Sequence, residues 1–372
     1  MVHNYCSPNN RNNSHTCFSN NSLKKIANEY NKRTKKTKIK VPKTLNDASR
    51  KTLWTTIEKK MQQFIDKSCQ GQHCLLDTQL VKNIDDSELE ESFRPQMPKE
   101  WKDKPTTWLS TVDIKKVMKQ YEKNSDFVFA GAVPIDFDYD FGGLGQCVSN
   151  ELCNLNIEEL IKKNKYQFGV VFNLDPHYKS GSHWTSLYAN FRTGGIYYFD
   201  SYANQPPEEV MILMERIKSQ GNLLLKQNKL DINEMPDLYT QFSEYSRISK
   251  RKIVVDNPED FHIDTLVSFG SIDNQNRVNI DKLTFNKIKN INGNELTLQN
   301  NIECSDCPYI FMKSFRTFYN NNRFQFKNSE CGVYSMHFIE EFLNGKTFDQ
   351  IINNIIKDDE INKKRNYFYR PY

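Results

Sequence analysis

This sequence predicts a mixed fold of helices and strands in two parts, and three observations carry that expectation. Apolar residues recur at helical spacing in some segments and alternate or run together at strand spacing in others. Aromatic residues make up 12% of the chain and hydrophobic residues 37%, enough for packed cores rather than a disordered polymer. At 372 residues the chain exceeds one small module, and roughly 100–200 residues per domain implies two domains or one with large additions.

A mean hydropathy of -0.74 and the many Asn and Lys residues predict a polar surface with long loops. No run of 18 apolar residues occurs, which excludes a helical membrane span. The opening MVHNYCSPNNRNNSH lacks the apolar stretch of a secretory signal. Nine cysteines, an odd number without an export signal, predict free thiols in a reducing compartment rather than a disulfide framework. The net charge of +5 is uneven: Lys24–Lys60 holds thirteen Lys or Arg against Glu29, Asp47 and Glu58, so the rest of the chain is mildly acidic. Such an arm reads either as a binder of nucleic acid or another polyanion, or as a solvated, partly disordered tether. The acidic DDSELEE at 85–91 is a third possibility, as a neutralising partner.

In chain order, residues 1–22 read as a polar tail. Leu23, Ile26, Ala27 and Tyr30, then Leu53 or Trp54 with Ile57, Met61 and Phe64, have helical spacing, so two short amphipathic helices precede residue 68. KRTKKTKIKVPK between them is a linker. Residues 84–105, acidic and then Pro-rich (Pro95, Pro98, Pro105), suit a domain boundary. TTWLSTVDIKKVMKQYEKN is a capped helix with Val112, Val117, Met118 and Tyr121 inward. IEELIKKN is a short helix, and YQFGVVFNL is a strand. HWTSLYANF and IYYFDSY form a hairpin turning at Gly194-Gly195, and a helix follows with Pro206 and Pro207 at its start. Residues 229–305 read as a β-rich insertion of two hairpins, the second turning at Asn292-Gly293. YIFMKSFRTFY then resumes as a strand, and CGVYSMHFIEEFL is an apolar helix with Val333, Met336, Phe338, Ile339 and Phe342 inward.

Chemistry concentrates at three residues. Cys331 begins that last helix after a polar loop, where unpaired N–H groups and the helix dipole favour a thiolate. Gly332 beside it permits close packing behind the sulfur. His183 begins one hairpin strand and Asp200 ends the other, and in an antiparallel hairpin those ends adjoin. Asp200 can then accept the imidazole N–H and hold its tautomer. Taken one at a time, His183 reads more readily as an ordinary strand-edge histidine and Asp200 as a strand-ending turn residue.

Together, HW at 183–184, YYFDS at 197–201 and a Gln six residues before CG at 331–332 resemble, in that order, the cysteine proteases that process ubiquitin-like proteins. FAGAVPIDFD at 129–138, FGVVFNLDPHYKSGSHW at 168–184, YYFDSYANQPPEEV at 197–210 and SECGVYS at 329–335 resemble the branch of that family found in large cytoplasmic DNA viruses. The similarity spans about residues 100–225 and 306–372. It implies an α+β, papain-like fold, with a helix bearing the nucleophile against a central antiparallel sheet. A basic helical arm at 1–95 would precede a protease domain at 96–372. The resemblance assigns Cys331 as nucleophile, His183 as base, Asp200 as its orienting acid and Gln325 as oxyanion donor, with Asn328 as runner-up. Trp184 and Trp108 match the aromatic clamp of a narrow channel that admits Gly-Gly, although WLSTVDI departs from the family motif at Ser110 and Thr111; core packing is the other reading of both.

No cofactor and no metal are expected. Cys304 and Cys307 form half a zinc site without a second half, and Cys69, His73 and Cys74 have poor ligand spacing; free thiols are the simpler reading of both. His337 reads as a packed histidine. His177 could compete as base but has no acid matched to it across the hairpin. The expected function is cleavage of viral core or structural precursors after Gly-Gly during virion maturation, in the virion and at host-cytoplasmic assembly sites. The alternatives are removal of ubiquitin or SUMO-like proteins from host substrates and a non-catalytic nucleic-acid scaffold using the basic arm.

Overall fold

The computed structural model describes residues 5–10, 15–35, 37–123, 125–143, 145–227, 229–230, 239–273, 278–280 and 286–371. The first region is helical: α1 (Asn20–Arg33), α2 (Asp47–Met61), α3 (Gln79–Lys82) and α4 (Ser87–Glu91). Ser19 caps α1 through its side chain, and Asn46 opens α2 with a capping box to Ser49. Leu23, Ile26, Ala27 and Tyr30 of α1 meet Leu53, Trp54 and Ile57 of α2 in one core with Phe18 and Phe93. The basic stretch is therefore no loose tether. Its connecting loop is tied down where Asn31 exchanges two hydrogen bonds with the Ile39 backbone at 2.6 and 2.8 Å. Phe64, expected inward, is 52% exposed because the chain leaves α2 at Met61.

The second region carries α5 (Thr111–Met118), β1 (Phe127–Pro134), α6 (Asn150–Cys153), α7 (Ile157–Lys162), β2 (Gln167–Asn173), β3 (Trp184–Asn190), β4 (Gly195–Phe199) and α8 (Glu208–Lys226). Strands β5 (Tyr239–Arg247), β6 (Lys252–Val255), β7 (Leu266–Ile272), β8 (Val278–Ile280), β9 (Asn286–Asn292), β10 (Glu295–Leu298) and β11 (Tyr309–Lys313) follow. β12 (Arg316–Tyr319) and helices α9 (Cys331–Leu343), α10 (Phe348–Ile352), α11 (Asp358–Lys363) and α12 (Arg365–Phe368) complete the chain.

The central sheet has the order β1-β2-β3-β4-β12. Its middle, β2-β3-β4, is antiparallel as expected, whereas β1–β2 and β4–β12 at the edges are parallel. One face packs on α9, α5 and the C-terminal segment, and the other on α7 and α8. Helix α5, opened by a capping box between Ser110 at its N-cap and Asp113 in its first turn, turns Ile114, Val117 and Met118 inward but leaves Val112 56% exposed.

YIFMKSFRTFY is two strands rather than one. The first half, β11, pairs with both β5 and β7 and closes six strands, β11-β5-β6-β10-β9-β7, into a ring; only β12 joins the central sheet. The barrel core includes Ile253, Val267, Phe269, Ile288 and Ile310. Because β12 starts opposite Gly195, the barrel hangs from the rim opposite the one described next.

Eight of the nine cysteines are paired, which corrects the expectation of free thiols: Cys6–Cys17, Cys69–Cys74, Cys147–Cys153 and Cys304–Cys307, leaving only Cys331 free. Each pair joins near neighbours across a turn or loop, with Cα atoms 5.1 to 6.4 Å apart, a span that a disulfide fits.

Candidate active site

The strand directions place the ends of β1, β2, β4 and β12 and the start of β3 on one rim of the central sheet. Ser186 pairs with Phe199, so the next residues outward bring His183 to Asp200. The His183 Nε2–Asp200 Oδ1 distance is 2.7 Å, and the carboxylate is fully buried. Asp200 is itself fixed: Oδ1 also accepts from the Tyr202 N–H at 2.8 Å, Oδ2 accepts from Asn204 Nδ2 at 2.8 Å, and its backbone exchanges hydrogen bonds with the Asn320 amide at 2.7 and 2.9 Å. This holding set was not legible in the sequence, since Asn204 and Asn320 sit in ordinary polar loops.

Cys331 is the first residue of the 13-residue helix α9 and is buried against the same rim. A Cβ on Gly332 would come within 3.1 Å of Leu109 and 3.3 Å of Trp184, so glycine lets this helix end approach the opposing wall. Burial lowers the basicity of His183, but its hydrogen bond to Asp200 and its interaction with the Cys331 sulfur outweigh this and raise its pKa to about 9. The imidazole is thus cationic at neutral pH beside the sulfur.

Gln325 is fully buried. Its Oε1 accepts from Ser201 Oγ at 2.6 Å, its backbone N–H donates to Ser201 O at 2.9 Å, and its Nε2 donates one hydrogen to Lys327 O at 2.6 Å. Among the described residues, the second Nε2 hydrogen has no acceptor. Asn328 is exposed on the same loop. Trp184 is 5% exposed and donates its indole N–H to Leu109 O at 3.0 Å, whereas Trp108 is 43% exposed.

The loop from Gln325 to Cys331 is held from behind by the C-terminal segment. Asp358 accepts from the Phe326 and Lys327 N–H groups at 2.9 and 3.2 Å. Buried Arg365 donates to Glu330 at 2.8 Å, to Ser329 O at 3.1 Å and to Thr107 O at 2.8 Å, and Asn362 donates to the other Glu330 oxygen at 2.9 Å. One arginine therefore joins the residue before Cys331 to the residue before Trp108.

His177 has no acid across the hairpin, as expected, but its Nδ1 lies 2.6 Å from Asp136, two residues beyond the end of β1. His337 is packed in α9, 3.5 Å from Glu340. His73 Nε2 lies 3.8 Å from Cys69 Sγ, but Cys69 and Cys74 are bonded to each other.

No protein-family model matches the chain. Among curated proteins it is 26% identical over 366 residues to a protein of Acanthamoeba polyphaga mimivirus named as a thiol protease, covering 95% of this chain and 89% of that one. It is 27% identical over 183 residues to a protein of African swine fever virus named as a cysteine protease, covering 44% of this chain and 66% of that protein. A crystal structure of the African swine fever virus protease matches with a TM-score of 0.50 at 18% identity, covering 99% of this chain and 96% of that one, and so shares the fold. The motif resemblance and these relatives point to the same group of proteins.

Proposed function

We propose that this chain, a cysteine protease of the SUMO-protease-like kind found in large DNA viruses, is an endopeptidase that cleaves viral core or structural precursors after Gly-Gly during virion maturation, in the virion and at cytoplasmic assembly sites. The observation that carries this reading is the free Cys331 at a helix N-terminus beside His183, whose far nitrogen is bound by buried Asp200.

In this mechanism the Cys331 sulfur attacks the scissile carbonyl carbon, and the carbonyl electrons move onto oxygen. The developing oxyanion takes the remaining Gln325 Nε2 hydrogen and the Cys331 backbone N–H. Collapse breaks the C–N bond while His183 gives its proton to the leaving amine, and a thioester remains on Cys331. His183, now neutral, accepts a proton from water, whose oxygen attacks the thioester and releases the acid. Asp200 keeps the ring in one tautomer through both halves. Trp108 and Trp184 flank the acyl half, where residues without side chains pass.

The basic arm supplies a second, separable reading. Lys35, Lys38, Lys40 and Lys43 are exposed and have no ion pair among the described residues, although Lys25 pairs with Asp86 at 3.1 Å. We assign this face to nucleic acid, as a means of retaining the enzyme where genome and precursors are packaged.

Incubating the full chain and Cys331→Ala with precursor proteins and with ubiquitin-like fusions, then sequencing new termini by mass spectrometry, tests the main reading. Cleavage after Gly-Gly in the precursors by the unmodified chain alone supports it. Cleavage of the ubiquitin-like fusions alone transfers the activity to host conjugates.

A further inference from the structure

Cys331 has a wall on each side. Leu109 and Trp184 press on Gly332 and line the half proposed for the acyl residues. On the other side, the Tyr202 ring stacks on the His183 imidazole with centroids 4.7 Å apart and planes at 28°, and its hydroxyl donates to Lys327 O at 3.1 Å. The Arg323 guanidinium carbon lies 5.2 Å from the Tyr202 ring centroid and 4.9 Å from that of Phe326. Its Nε donates to the Gln325 backbone carbonyl at 2.7 Å. Three contacts therefore fix the guanidinium plane, while its two terminal nitrogens have no partner among the described residues.

We propose that Arg323 is a specificity-determining residue that binds a carboxylate in the leaving half of the substrate, within the first few residues after the scissile bond. The inference rests on the peptidase reading above. The leaving nitrogen must receive its proton from His183, so the chain beyond it passes over His183 and the Tyr202 ring stacked there, and next meets Arg323. A planar guanidinium offers parallel N–H groups that match a carboxylate. Aromatic rings beside it hold that geometry before substrate arrives, which reduces the ordering cost of binding. Of the nearby charges, Lys327 is paired with Asp359 at 2.5 Å, and Asp358, which is buried, accepts two backbone N–H groups on Oδ2. Phe326, 71% exposed, adds an apolar edge for the same stretch of substrate.

The test uses the full chain with fluorogenic peptides in which Gly-Gly is followed by Glu, Gln or Lys at each of the next three positions. The expected result is a kcat/KM for the best Glu peptide about tenfold above its Gln counterpart, the size of one charge-assisted hydrogen bond. In Arg323→Gln that ratio falls to about one, and in Arg323→Glu the Lys peptide becomes the better substrate. The ratios are internal to each variant, so a general loss of activity does not alter them. Equal cleavage of Glu and Gln peptides by the unmodified chain, or a ratio that survives in Arg323→Gln, overturns the inference and leaves the peptidase reading standing. Failure of the unmodified chain to cleave any peptide, or equal cleavage by Cys331→Ala, overturns that reading and this inference with it.

Discussion

Ser201 donates its hydroxyl hydrogen to Gln325 Oε1 at 2.6 Å, although 124 residues separate them, and both side chains are buried. Because Ser201 follows Asp200, one dipeptide orients both the His183 ring and the Gln325 amide. Gln325→Ala should lower turnover about 100- to 1000-fold, the effect of removing one oxyanion donor. Ser201→Ala leaves Oε1 buried without that donor, a cost of about 1–3 kcal/mol, and should reduce turnover by a smaller factor. Alkylation of Cys331 should be unchanged in both variants, and Asn328→Ala should turn over normally. Steady-state kinetics beside iodoacetamide rates check this; a crippled Asn328→Ala with a normal Gln325→Ala would move the donor.

On the peptidase reading, the raised pKa of His183 should set the alkaline limb of activity. His183 stays protonated until about pH 9, so kcat/KM should fall above that value. Asp200→Asn removes a group that raises this pKa, so its limb should shift toward neutral pH. A pH profile with no shift between the two enzymes would contradict the assignment.

The same shift has a stability consequence. A histidine whose folded pKa exceeds its unfolded value stabilises the fold fully below the unfolded pKa of 6.5, and this contribution disappears as pH rises through about 9. Urea unfolding at pH 6 and pH 10 should therefore show a larger loss for the unmodified chain than for His183→Gln. Equal losses would contradict it.

Arg365 and Glu330 form a buried ion pair directly behind Cys331, at 2.8 Å. Arg365→Met leaves Glu330 without its cation and should cost about 3–5 kcal/mol. Arg365→Met with Glu330→Gln should recover part of that loss, since no charge is then stranded. Denaturant titrations on the single and double variants check both statements; an Arg365→Met protein of unchanged stability would show the pair to be dispensable.

Replacing the lysines across Lys32–Lys43 with Gln should weaken nucleic-acid binding and leave peptide hydrolysis unchanged. If the arm contacts duplex phosphates, log affinity falls with log salt at a slope of roughly -0.9 per contact. Binding that is absent or insensitive to salt would remove the arm's assigned role.

Local patterns were the legible part of this molecule. Helical spacing marked α1 and α2, and the hairpin alone implied that His183 and Asp200 adjoin, because strand ends are set by register. Pairings between distant segments were not legible. Tyr309–Lys313 and Arg316–Tyr319 look like one strand until β7 and β4 claim separate halves. The FVFA that begins β1 is too short a local alternation to mark a strand by itself, although Phe127 and Phe129 are buried. Asp358, Asn362 and Arg365 have the composition of a surface segment, and no local signal marks a buried ion pair whose partner lies 35 residues away. The short cysteine spacings allow disulfides, but an odd total in a polar chain pointed to thiols instead.

We propose Cys331 as the nucleophile of a Gly-Gly peptidase. A short peptide ending in Gly-Gly vinyl methyl ester, incubated with the full chain and followed by tryptic mass spectrometry, tests it most directly. A single covalent adduct is expected, mapped to Cys331, formed in the unmodified chain, absent from Cys331→Ala and strongly slowed in His183→Gln. An adduct on another residue, or none on a folded chain that still cleaves protein, would contradict it.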